Sequence, residues 1–199
     1  MQLFEELKKY DLILGSQSPR RKALMESAGF TFRTWVIPTA EKFPPQLAPE
    51  EIALFLCRQK AEPFKAHLNP DSIVITADTI VVLNRDILNK AATPQEAFIM
   101  LSRLNNREHR VITGVAITSA KAQKSFTETT RVFFHKLSDE EIRGYIDQYK
   151  PFDKAGAYGI QEWIGMAGVK KIDGCYYNVV GLPTSRLYHE MKIFLGEQF

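Results

Sequence analysis

Cysteine is scarce in this chain. There are two among 199 residues, Cys57 and Cys175, far apart and in no Cys-x-x-Cys or Cys/His cluster. That excludes a disulfide scaffold and a structural zinc site, and a reducing compartment is the simplest home. Histidine is sparse too: His67, His109, His135 and His189 fall in neither HxH nor HExxH spacing. Gly-x-Ser-x-Gly, Walker A and Gly-x-Gly-x-x-Gly are all absent, so serine-type hydrolases and P-loop enzymes find no support. The longest apolar run, Ile73 to Leu83, is interrupted by Asp78 and is too short to cross a bilayer. Residues Met1 to Tyr10 carry Glu5, Glu6, Lys8 and Lys9 instead of an apolar signal core. The expectation is a soluble cytoplasmic protein without membrane partners. With a net charge of only +3, bulk electrostatics demand no nucleic-acid partner either.

What is present is an average soluble composition, 45% hydrophobic and 25% charged, long enough for a full core. No repeat, low-complexity tract or Gly/Ser linker marks a boundary, so residues 1–199 read as a single domain. Elements alternate along it. Leu12–Gly15 reads as a strand and Pro19–Ala28 as a helix closed by Gly29. Phe30–Val36 looks extended and Glu41–Pro49 is a Pro-rich loop. Pro49–Ala61 is a helix on the spacing of Ile52, Phe55 and Leu56, ended or kinked by Pro63. Ser72–Leu83 is nearly all apolar, as in a strand covered on both faces. Thr93-Pro-Gln-Glu96 and Ser138-Asp-Glu-Glu141 have capping-box spacing and open helices to Leu104 and about Tyr149. Arg110–Thr118 and Ser125–His135 read as strands around a turn, Gly174–Val180 as a short strand, and Pro183–Leu195 as the last helix. The fold class is α/β, with a mixed central sheet flanked by helices and an elongated, two-lobed form.

Three segments carry chemistry. In Leu12-Ile-Leu-Gly-Ser16-Gln-Ser18-Pro19-Arg20-Arg21-Lys22 a strand runs into a turn and then a helix whose first turn is cationic. Ser18 suits the N-cap and Pro19 the first helical position. The free N–H groups and dipole there favour an anion, and phosphate fits best. An ordinary solvated basic turn is the competing reading. The second segment is Ile75-Thr-Ala-Asp78-Thr79-Ile-Val81, where a carboxylate interrupts an apolar strand. Such a carboxylate must be paired, hydrogen-bonded or metal-bound. It serves either catalysis or a buried salt bridge to Arg or Lys. The third is Phe152-Asp153-Lys154-Ala-Gly-Ala-Tyr158-Gly-Ile-Gln161, in which an acid–base pair precedes two glycines and an amide able to donate to and accept from a base edge. A structural loop would explain the glycines but not Lys154 and Gln161. Glu41, Lys60 and Lys90 are surface residues by default and gain interest only by converging.

These segments, with Asn178-Val-Val-Gly-Leu-Pro183, closely resemble the Maf family of nucleoside triphosphate pyrophosphatases, once known as septum-formation inhibitors. The resemblance spans Leu12 to Leu187. It implies a mixed sheet with a cleft between two lobes, similar to the inosine-triphosphate pyrophosphatases. It also implies hydrolysis between the α and β phosphates, giving a monophosphate and pyrophosphate, with a divalent metal (magnesium or manganese). By that resemblance Asp78 is the proton acceptor, and Ser16, Arg20, Arg21, Glu41, Lys60 and Lys90 handle triphosphate and metal, the metal falling to Glu41 and Asp78. Arg20, Thr79 and Gln161 resemble the branch acting on dTTP and UTP rather than the one acting on 7-methyl-GTP; Lys154, from the reading of its own segment, joins them among the substrate-binding candidates. A house-cleaning role against non-standard or excess nucleotides, and a homodimer, are compatible with the family.

The chain departs from the family pattern in three places. Lys90-Ala91 stands for Lys-Pro, Leu104-Asn-Asn-Arg-Glu-His109 for Leu-Ser-Gly-x-x-His, and Gln161-Glu-Trp-Ile-Gly165 for Gln-Gly-x-Gly-Gly. Two rival functions are distinguishable. A non-enzymatic nucleotide-binding regulator of septum formation should have lost Asp78 or Glu41, and both remain. A pyrophosphatase for deaminated purines should prefer inosine triphosphate, whereas Thr79 and Gln161 point to uracil or thymine edges.

Overall fold

The computed structural model describes residues 2–196. A seven-stranded mixed sheet runs in the order β2-β1-β3-β5-β6-β7, with β4 paired to β3 off that path. Its strands are β1 (Asp11–Leu14), β2 (Arg33–Thr34), β3 (Ser72–Leu83), β4 (Asp86–Leu88), β5 (Glu108–Ser119), β6 (Gln123–Phe134) and β7 (Val169–Asp173). β1 pairs in parallel with β2 and β3, while β3–β4 and β6–β7 are antiparallel. The helices are α1 (Gln2–Leu7), α2 (Pro19–Ser27), α3 (Pro49–Ala61), α4 (Pro94–Leu104), α5 (Asp139–Tyr149), α6 (Trp163–Ala167), α7 (Tyr176–Val180) and α8 (Thr184–Gly196). Among the described residues no helix is long and apolar enough to cross a membrane.

The chain forms two compact units. The first comprises Met1–Asp78, Thr113–Glu128 and Gly181–Phe199; the second comprises Thr79–Ile112 and Thr129–Val180. Strands β3, β5 and β6 each supply residues to both. The first unit's core gathers Leu12, Leu14, Ile73 and Ile75 of the parallel strands with Met25 of α2 and Leu187, Met191 and Phe194 of α8. In the second, Val81, Leu101, Val132, Tyr145, Ile146 and Tyr158 form the centre of a separate core.

Helix α3 sits very close to the sheet because its inward face is small. Ala53, Cys57 and Ala61 recur every four residues and are fully buried. Cys57 and Ala61 pack against Ala116 of β5. Thr76 Oγ1 of β3 donates to the Cys57 carbonyl at 2.7 Å, joining helix to strand a second time. Burial pushes the Cys57 thiol up to about 12, so it acts as a small apolar filler and not as a nucleophile. Past Ala61 the chain tightens into a 3-10 turn over Glu62–His67, as Pro63 leads one to expect.

One predicted element is wrong in kind. Gly174–Val180 is not a strand: Val169–Asp173 is β7, and Tyr176–Val180 is helix α7. The β7 pattern Val-Lys-Lys-Ile is hard to read because a register shift at Phe133/Phe134 breaks strict alternation. In α7 the β-favouring Tyr-Tyr-Asn-Val-Val composition is overridden by anchoring. Asn178 Nδ2 donates to the Val111 carbonyl and to Thr130 Oγ1 at 3.0 and 2.9 Å, and the Cys175 N–H reaches the same hydroxyl at 3.1 Å.

The Leu104-Asn-Asn departure has a physical account. Asn106, where the family pattern has Gly, adopts a left-handed φ of +55°, which asparagine tolerates better than most residues. Asn105 uses both amide atoms on Leu137, accepting from its N–H and donating to its carbonyl, each at 2.8 Å. Nearby, His109 is 2% exposed, with Nε2 at 2.7 Å from the Tyr158 hydroxyl. Burial pushes its pKa from 6.5 down to about 3. In that window the unfolded chain binds a proton that the folded chain does not, so stability rises with pH. It is complete above pH 6.5 and is lost as the pH falls from there toward 3, at about 1.4 kcal/mol per pH unit. A His109→Phe/Tyr158→Phe variant is expected to lose less stability than the parent between pH 7 and pH 5, measured by urea unfolding.

Candidate active site

The N-terminal segment folds as its residues dictate. β1 lies parallel to β3 with Leu14 opposite Ile75, and the Gly15 N–H continues the ladder to the Ile75 carbonyl at 2.8 Å. The chain then leaves the sheet at the carboxyl ends of parallel strands, where open α/β sheets bind ligands. Ser18 caps α2, accepting from the Arg21 N–H at 3.4 Å, and Pro19 opens the helix. Arg21 bends back across the turn, donating through Nε to the Gly181 carbonyl at 2.9 Å and through a terminal nitrogen to Ser16 Oγ at 3.3 Å. Ser16 is buried, and Arg20 and Arg21 are half-buried. Lys22, by contrast, is exposed and lies 3.9 Å from Glu26 on the helix surface.

Asp78 sits on β3 at 9% exposure. Its carboxylate is held by the ammonium of Lys60 from α3, and the same Nζ lies 2.8 Å from Glu41 in the 37–44 loop. One cation thus bridges two carboxylates from different elements. The adjacent helix residue repeats the grip, since Gln59 Nε2 donates to the Lys42 carbonyl at 3.2 Å. Consecutive residues of α3 thereby hold consecutive residues of the loop. Desolvation pulls Arg21 below the ordinary arginine value, while the charges of Asp78 and, less strongly, Glu41 oppose that shift and Arg20 adds to it. Ser16, Arg20, Arg21, Glu41, Lys60 and Asp78 are therefore one electrostatic group within the first unit. The structure joins Glu41 and Lys60, unremarkable in the sequence, to Asp78.

Asp78 is thus paired with a lysine, as the structural reading requires, but the pair is not a closed one. Glu41 is exposed and the arginines retain solvent contact. Among the described residues no three His, Cys, Asp or Glu side chains cluster to hold a metal by themselves. Two convergent carboxylates that already share a cation fit a magnesium- or manganese-type ion, which binds through one or two carboxylates and completes its shell with phosphate oxygens and water.

The second unit holds the remaining candidates. Thr79 follows Asp78 directly on β3 and is half-buried. Lys90 is exposed, and its backbone pairs with Ala155 in an isolated antiparallel bridge, tying it to the 153–161 loop. Lys154 is 9% exposed, with Nζ 2.8 Å from Asp153 and 3.1 Å from Glu162. Gln161 is exposed between buried Ile160 and half-buried Glu162. Sequence reasoning missed Glu162 and Tyr145, which bind each other here. Glu162 was visible as a departure from the family pattern, whereas nothing in the local sequence of α5 marks Tyr145.

The profile of Maf-like proteins matches residues 11–194. This chain belongs to the Maf-like family. Its relatives include a dTTP/UTP pyrophosphatase of Cytophaga hutchinsonii, 52% identical over 92% of this chain and 83% of that protein. Another from Phocaeicola vulgatus is 48% identical over 96% and 99%. A third, from Bacteroides thetaiotaomicron, is 47% identical over 94% and 97%. Among solved structures, the Staphylococcus aureus Ham1 protein covers 62% of this Maf-like chain and 71% of its own at 14% identity and a TM-score of 0.44, a likeness too low to build on.

Proposed function

We propose that this Maf-like protein hydrolyses dTTP and UTP to the monophosphate and pyrophosphate. The observation that carries the reading is the convergence of Asp78, Glu41 and Lys60 beside the cationic turn of Arg20 and Arg21. In this account Ser16, Arg20 and Arg21 bind the triphosphate, and Lys60 and Lys90 stabilise the charge that builds on it in the transition state. Asp78 accepts a proton from the water that attacks the α-phosphorus. Glu41 and Asp78 hold a divalent cation, which when bound supplies Lewis-acid stabilisation of phosphate oxygens. Thr79 and Gln161 read the base. The dTTP/UTP names of three relatives sharing about half their residues support the same substrate class.

The specificity is tested by pyrophosphate release from dTTP, UTP, CTP, GTP, 7-methyl-GTP and ITP, each with magnesium or manganese. The expected order places dTTP and UTP first. Turnover confined to purines would overturn the roles given to Thr79 and Gln161.

A further inference from the structure

The loop from Asp153 to Glu162 is closed by a side-chain network shared with α5. Tyr145 of α5, 2% exposed, places its hydroxyl between two points of that loop. It accepts from the Gly159 N–H at 3.0 Å and donates to Glu162 Oε2. The other Glu162 oxygen takes the ammonium of Lys154, which also reaches Asp153. A Cβ on Gly159 would lie 2.7 Å from the Glu162 carboxyl carbon, so a larger residue there would displace that carboxylate. The backbone between these anchors is bent hard: Gly156 and Ala157 have successive left-handed φ values of +69° and +59°. A buried alanine in that region is costly, and persists only where its surroundings over-determine it.

This wiring bears on Lys154. Its side chain is 10% exposed, and both carboxylates that hold its ammonium, Asp153 and Glu162, belong to the loop itself. Its charge is spent on the loop. Within Gly159–Glu162 it is Gln161 that is exposed, flanked by Ile160 in the core and Glu162 in the network. We propose that Glu162 and Tyr145, together with Lys154, are positioning residues for base recognition: their network fixes the Gly159–Glu162 turn so that Gln161 meets a pyrimidine edge in one orientation. This rests on the reading of Gln161 given above, and it makes Lys154 act through Glu162 and not on the phosphates.

The test compares parent, Glu162→Gln and Tyr145→Phe by calorimetric binding of α,β-imido-dUTP and α,β-imido-dCTP, with thermal unfolding of each protein alongside. The parent should favour the dUTP analogue. In both variants that preference should fall by about five-fold or more through weaker dUTP binding, with dCTP binding within about two-fold and cooperative unfolding retained. An unchanged preference in the folded variants overturns the proposal, as does an equal loss for both analogues, the signature of a phosphate-binding or purely structural role. Should Glu162→Gln fail to fold, Tyr145→Phe, which deletes one oxygen, decides alone. If neither folds, the network is a structural core and the proposal falls. A parent that does not discriminate the analogues would instead overturn the reading of Thr79 and Gln161 as selecting uracil or thymine edges.

Discussion

Asp78→Asn is expected to lower kcat on dTTP by about 100-fold or more, with KM little changed. The substitution keeps the shape of the side chain and leaves an oxygen for Lys60, which retains Glu41 at 2.8 Å as an ionic partner. Circular dichroism and the unfolding transition should therefore stay close to the parent's. In the proposed mechanism what is lost is the group that accepts a proton as water attacks, a transition-state contribution, together with one of the two carboxylates assigned to the cation. A metal titration separates that role from simple ligation. If Asp78 served only to hold the cation, raising magnesium would restore turnover in the variant; a proton acceptor predicts a kcat that stays low at saturating metal.

The second large effect concerns how the site is aimed. Gly114→Ala is expected to destabilise the protein by about 3 kcal/mol or more and to depress activity with it, read by urea unfolding and by turnover. A Cβ on Gly114 of β5 would lie 2.1 Å from the Ala53 carbonyl oxygen and 2.4 Å from its carbon. Those are backbone atoms of α3, so no rotamer change relieves the overlap and the helix itself must move. Because α3 carries Lys60 and Gln59, any displacement loosens the grip on Asp78 and the Glu41 loop together. Gly144→Ala, on α5, is the control: a Cβ there meets nothing within 4 Å and should be neutral or slightly stabilising.

Much of this was legible in the chain. α3, β3 and α4 begin and end where their Pro-led starts and apolar patterns place them, because local signal and tertiary burial agree in those elements. They disagree between Val169 and Val180. There a bulge hid a strand, and a buried asparagine turned a β-rich run into a helix. The candidate site divides in the same way. Asp78 announces itself, since an apolar strand rarely carries a carboxylate without purpose, and Ser18-Pro19 locates the cationic turn. Glu41 and Lys60 have no such local cost: one sits in a loop, the other on a helix flank, and only the close approach of α3 to β3 brings them to Asp78. The partnership of Glu162 with Tyr145 was beyond reach for that reason too, because it depends on how α5 packs against the loop that follows it.

The most direct measurement is the reaction of dTTP with magnesium in oxygen-18 water, parent beside Asp78→Asn, with products resolved by phosphorus NMR. The account predicts metal-dependent formation of dTMP and pyrophosphate by the parent, oxygen-18 in the dTMP, and loss of both products in the variant. Release of orthophosphate, label in the pyrophosphate, or tight nucleotide binding without turnover would contradict it.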